Sequence, residues 1–258
     1  MKNIDISKLH YPYTVWQFLL LLLVGIVICS PGVALIKTIG EEWFVTGFYF
    51  ALCFVVIALV YVINRKRGVG LQLTWKISNK RFLILMSLCV LIFQIGVNVP
   101  INFLITTMMH KEYKFIPESL HYVLGGIILA PILEELIFRK FLLGGLLQVQ
   151  SVKKAIIISS VVFCIVHVMP AQLFGAFCIG LFFCYIYYKT RSIGYTIILH
   201  ALANIVGFGW PFFFIRWGQP LIDNKLYLCF YILISTVIVF SLIRQLQIQF
   251  AKSTFFHK

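Results

Sequence analysis

Glu134-Glu135-Leu-Ile-Phe-Arg139 sets two carboxylates and a guanidinium into an otherwise apolar run. At the centre of a membrane helix each such charge costs roughly 2.5–3.5 kcal/mol. Ionisable residues kept at that cost face a cavity or a partner and mark function. Glu135 and Arg139 stand four apart, so on a helix they share a face and can pair. Glu134 projects elsewhere, lacks that partner, and is expected to be free to act on something else. Pro131 has no N–H for the carbonyl of Ile127, which loosens the helix just before the carboxylates. A structural ion pair with a snorkelling Arg139 accounts for Glu135 and Arg139 as well as a catalytic role does. It leaves Glu134 unexplained.

Two further apolar runs add polar groups. One ends Phe163-Cys-Ile-Val-His167, and the other contains His200-Ala-Leu-Ala-Asn204, whose His and Asn fall on one helical face. Taken singly, each is more simply a buried side chain satisfied by packing and one hydrogen bond. Together the six residues suit hydrolysis. A carboxylate in a low-dielectric site suits a general base. An imidazole can share its water, and a second imidazole with an amide can donate hydrogen bonds to an oxyanion. An alternative assembly uses Glu134, His167 and His200 as zinc ligands with an open fourth position. The residues leave both open. Neither an HExxH helix nor a GxSxG elbow occurs.

Positioning these groups falls to apolar helices. The chain has 258 residues, 61% hydrophobic and 12% charged, against about 25% charged in soluble domains. A helical span takes about 20 apolar residues. The qualifying stretches are 15–36, 44–63, 82–109, 121–147, 155–168, 172–188, 193–208 and 226–243, of which 155–168 and 193–208 are short. The runs are continuous and do not alternate, so helices are expected and a β-barrel is not. The reading is an all-α, polytopic transmembrane helical bundle of about eight spans. A depth conflict accompanies it: Glu134 falls toward the inner end of its helix, whereas His167 falls toward the outer end of the next.

The net charge of +14 raises the possibility of nucleic acid, but its distribution points to lipid. With both termini inside, Lys37, Lys111, Lys114, Arg216 and Lys225 are the basic residues that fall outside. The remainder lie inside, which is the positive-inside pattern. The loop 64–81 reads as an orientation signal touching anionic lipid, and no nucleic-acid partner is expected. Cys29, Cys53, Cys89, Cys164, Cys178, Cys184 and Cys229 sit within or beside apolar runs and read as packing residues. The first apolar run is too long for a signal-peptide core and reads as an anchor. Gln94, Asn98 and Asn102 form a polar row expected to hydrogen-bond to a neighbouring helix. Gly126/Ala130 and Ala176/Gly180 have the spacing that lets helices approach closely.

The order Glu134-Glu135-x-x-x-Arg139, Phe163-x-x-x-His167, His200-x-x-x-Asn204 resembles the three motifs of CPBP intramembrane proteases, the family of type II CAAX prenyl endopeptidases and bacteriocin-processing or Abi proteins. The resemblance covers about residues 120–207. It implies N-terminal helices over 1–119, a CPBP-like catalytic core over 120–208, and a last loop, helix and basic tail over 209–258. It also implies that Glu134 and His167 activate water and that His200 and Asn204 form the oxyanion hole. Glu135 and Arg139 would then hold their helix in register and tune Glu134. The resemblance includes enzymes described as metalloproteases and as glutamate-dependent. The glutamate reading is preferred and needs no cofactor, with zinc as the alternative. Nothing in the sequence reads as a prenyl pocket. The expected substrate is a membrane-associated peptide or protein, cut near the inner face of a bacterial cell membrane. A non-catalytic immunity or scaffold protein of the same fold, and an ion-coupled transporter, are the rival readings.

Overall fold

The computed structural model describes residues 5–109, 120–167 and 170–252. Among these every regular element is helical. Residues 1–4, 110–119, Val168, Met169 and the tail 253–258 lie outside the described residues. The long helical runs coincide with the apolar stretches. They are α1 (Val15–Ile39), α2 (Glu41–Lys66), α3 (Lys80–Met108), α4 (residues 120–149), α5 (Val152–Ile165), α6 (Pro170–Thr190), α7 (Ile193–Trp217) and α8 (Lys225–Lys252).

Six of these helices, all but α4 and α5, are long and apolar enough to cross a membrane. α4 is long but carries the charged cluster. α5 has 14 residues, about 21 Å at 1.5 Å per residue, which falls short of a hydrocarbon core about 30 Å thick. The bundle's outer surface explains where it resides. Trp16 (80% exposed), Phe240 (68%) and Phe54 (54%) stand on outward faces of α1, α8 and α2. An apolar surface of that extent would aggregate in water; lipid covers it, and the protein is an integral membrane protein.

Local chemistry fixes the ends. Thr14 and Gln17 form a reciprocal capping box that starts α1, and Asn79 Oδ1 caps α3 by accepting from the N–H groups of Arg81 and Phe82. Gly40, at φ +82°, makes the turn between α1 and α2, a conformation other residues avoid.

α4 occupies the centre, packed by α2, α5 and α7, while α3 and α8 close the far side against α6 and α7. Its winding is irregular. Widened π turns run over Gly125–Leu129 and Glu135–Leu143, on either side of the α-helical Ala130–Glu134. The carbonyl of Ile127, which Pro131 cannot serve, lies inside the first. α3 repeats the device: the π segment Gln94–Asn98 contains Gly96, whose carbonyl Pro100 leaves unserved. A wide turn relieves the clash between the proline ring and that carbonyl.

The loops assigned to one side by charge gather at one end of the bundle. The lead is strapped there by Asn64, which accepts from Tyr11 N (2.8 Å) and donates to its carbonyl (2.7 Å). His10 N donates to Gln148 Oε1 at 2.9 Å. The loop before α3 joins them: Ile193 N donates to the Thr74 carbonyl at 2.9 Å, and Lys140 Nζ donates to the Gln72 carbonyl.

Candidate active site

α4 supplies the centre of the site. Glu135 and Arg139 are fully buried and pair at 3.1 Å, as their spacing predicts. The guanidinium lies over the Phe163 ring at 4.1 Å and the Phe183 ring at 5.4 Å. The residue one turn before His167 is therefore the seat of the buried cation. An arginine over a desolvated aromatic face gains about 2 kcal/mol or more, which offsets part of the cost of removing both charges from water.

His200, on α7, joins the pair. Its Nδ1 lies 2.8 Å from Glu135 Oε1, and its Nε2 lies 3.7 Å from Glu134 Oε2. A carboxylate can only accept, so the hydrogen on that side is on Nδ1 and points at Glu135. The rings of Phe163 and Phe183, 5.9 and 5.6 Å away, wall the imidazole in.

Glu134 is not free in the way its lack of an i+4 partner suggests. Tyr49, on α2, donates its hydroxyl to Oε1. Oε2 is buried with no hydrogen-bond partner. Sequence reasoning missed Tyr49 because Phe48-Tyr49-Phe50 reads as membrane-facing aromatic residues. Nothing local marks it.

Asn204, one turn beyond His200, donates its amide to the Gly126 carbonyl at 2.7 Å. That bond pins α7 to the first π segment of α4 and leaves one amide hydrogen to donate elsewhere. His167 lies just past the end of α5. Its Nδ1 is 2.8 Å from the Phe163 carbonyl, and its ring stacks edge-on to Phe163 at 4.6 Å. The carbonyl only accepts, so Nδ1 carries the hydrogen and Nε2 keeps its lone pair. The shortness of α5 bears on the depth conflict: the helix starts beside the end of α4 that holds the lead and stops after 14 residues, with Phe163 against Arg139.

The structure thus brings Glu134, Glu135, Arg139 and His200 into one row, and places Asn204 and His167 beside it without direct contact with Glu134. Among the described residues no three His, Cys, Asp or Glu side chains converge in a metal-holding geometry, so the alternative set of Glu134, His167 and His200 does not form a ready ligand shell. The cysteines are all unpaired. Cys53, Cys89 and Cys184 are buried, in keeping with a packing role.

Residues 116–206 match the model of the type II CAAX prenyl endopeptidase Rce1-like family. A 77-residue stretch is 39% identical to the Bacillus subtilis (strain 168) protein named "Putative membrane peptidase YdiL", covering 30% of this chain and 32% of that one. The matched region therefore spans about a third of the curated relative's length. No solved structure matches. The matched segment contains α4 to α6 and the first half of α7, the helices that carry the site, and is similar to that family. Every member of the polar cluster except Tyr49 lies in the matched segment.

Proposed function

We propose that the protein is an intramembrane endopeptidase of glutamate type. The reading is carried by one observation: Glu134 Oε2 is buried, lacks a hydrogen-bond partner and faces His200 Nε2 across 3.7 Å. A buried acceptor without a partner is costly. Hydrolysis needs a water at this oxygen, and the closed site must open to admit one.

Glu134 takes a proton from this water while the oxygen attacks the carbonyl carbon of the scissile bond. The carbonyl π electrons move to its oxygen. His200 faces that oxyanion from the side held by Glu135. With a second proton on Nε2, the row Arg139, Glu135, His200, Glu134 alternates in sign and cancels. Nε2–H then serves as an oxyanion donor beside the remaining amide hydrogen of Asn204. Collapse of the tetrahedral species breaks the C–N bond, and protonated Glu134 returns its proton to the leaving amine. His167 takes part in moving the water's proton through its Nε2 lone pair. Glu135 and Arg139 touch no substrate in this scheme. They position His200.

The substrate is a membrane-associated peptide or protein, the lipid bilayer is the working environment, and both termini face the cytoplasm of a bacterial cell. The topology draws support from the basic loops meeting at one end of the bundle.

The test compares peptides released by cells expressing the unaltered chain and Glu134→Gln, a change that removes the base with little change in shape. Specific products should vanish while the variant still reaches the membrane. Identical peptide profiles, under conditions where the protein has a phenotype, would remove the peptidase reading and leave a scaffold or immunity role.

A further inference from the structure

A helix outside the family match also reaches the site. Tyr49, on α2, donates to Oε1 of Glu134 from 85 residues away in sequence. We infer that Tyr49 is a positioning residue that fixes the carboxylate of Glu134, so that Oε2 alone faces His200 and the water. The inference rests on the protease reading above and extends it.

A glutamate carboxylate is free to rotate. Its terminal torsion is broad and roughly two-fold, so an unrestrained carboxylate presents either oxygen over a wide arc. Here one oxygen is occupied. The phenol can donate one hydrogen, and it gives it to Oε1. Oε2 remains without a partner, and it is the oxygen that stands opposite His200 Nε2. Holding the base in one orientation matters because small misplacements of reacting groups cost large factors in rate.

The placement of Tyr49 is itself constrained. Its ring meets Phe50 edge-on at 5.2 Å. Phe50 in turn seats its ring edge where a Cβ on Gly125 would stand 2.9 Å from Cζ. The missing side chain of Gly125, in the first π segment of α4, thus lets α2 approach closely enough for the phenol to reach Glu134. One turn further along α2, Cys53 and Val56 pack in the same cluster as Leu133 and Ile137 of α4, which holds the two helices in register.

A bland alternative is that the tyrosine merely satisfies a buried carboxylate and contributes to folding. The two differ in what removing the hydroxyl does. Tyr49→Phe keeps the ring, its contact with Phe50 and the apolar packing. The experiment uses the purified full-length protein in lipid nanodiscs and a quenched fluorogenic peptide carrying the cleavage sequence recovered from the Glu134→Gln comparison. For a positioning residue, kcat falls by about tenfold or more while KM stays within about twofold. In the Glu134→Gln background the same change has no further effect on residual cleavage. Thermal unfolding of the four proteins in the cycle gives a readout independent of activity, since coupling between the two positions reports the contact itself.

An unchanged kcat in Tyr49→Phe, or a loss that tracks the fraction of unfolded protein, overturns the inference. So does an additive effect in the double variant. If the unaltered chain cleaves nothing, the protease reading fails first, and coupling in the unfolding data still shows whether the contact exists.

Discussion

His200 Nδ1 stands 2.8 Å from Oε1 of Glu135, the same oxygen that lies 3.1 Å from Arg139 Nη1. One carboxylate oxygen thus serves both a buried cation and the imidazole of the neighbouring helix. The pair packs α4 against the rings of α5 and α6, and the proposed mechanism gives it a second role, orienting the histidine.

The first prediction separates those roles. Glu135→Gln leaves the fully buried guanidinium without its counter-charge, at a cost of roughly 3–5 kcal/mol. The solubilised variant should unfold at a clearly lower temperature. Glu135→Leu combined with Arg139→Met removes both charges, and such paired replacements are often neutral or stabilising. Stability should return, but cleavage should not, because His200 loses the acceptor for its Nδ1–H. Full cleavage by this double variant would reduce Glu135 to a packing element.

What the sequence discloses depends on how local the cause is. The Glu134-Glu135-Arg139 cluster is legible because charge within an apolar run is costly, and the i, i+4 spacing alone forecasts the pair at 3.1 Å. The polar row on α3 is legible too: Gln94 Nε2 does reach a neighbouring helix, at the Ala203 carbonyl of α7 (2.9 Å), and Asn98 donates to Gln94 at 2.5 Å. The end of α5 is not. Hydropathy continues through Val166 and His167, and a backbone turn interrupts it, with Pro170 as the nearby signal. Tyr49 to Glu134 and Asn204 to Gly126 join residues 85 and 78 positions apart. Only the fold brings such pairs together, so no spacing rule could reveal them.

The lead before α1 gives a second prediction. A Cβ on Gly145 would run into the carbonyl of Pro12, and backbone yields less readily than the end of a flexible side chain. Gly145→Ala should push the lead off the end of α4 against the bonds from Asn64 and Gln148, at a cost of roughly 1–3 kcal/mol. Trypsin should then cut after the exposed Lys8 faster than in the unaltered protein. An unchanged rate would mean the strap is held without the close approach at Gly145.

Topology supplies a third. Bacterial alkaline phosphatase needs disulfides and matures only where they form, outside the cytoplasm. Fused after Lys76, in the loop that covers α4 and α7, it should be inactive. Fused after Asp223, in the turn between α7 and α8, it should be active. The reverse pattern would invert the whole bundle and place the basic loops outside, against the charge rule.

The mechanism gives the fourth. A zinc site would draw on Glu134, His167 and His200, and His200, with its Nδ1 hydrogen-bonded to Glu135, would offer Nε2 as metal-bound histidines do. His167 could offer only Nε2, since Nδ1 is bound to the Phe163 carbonyl. In the glutamate reading, protein stripped with a chelator and passed into metal-free buffer keeps its cleavage rate, and added Zn²⁺ does not raise it. Loss on stripping with recovery on Zn²⁺ addition would require α5 to shift so that His167 Nε2 and Glu134 meet at one ion. In that case His167→Ala should abolish zinc retention, measured as bound metal per chain. If the glutamate reading holds, the same variant slows cleavage and leaves the metal content unchanged.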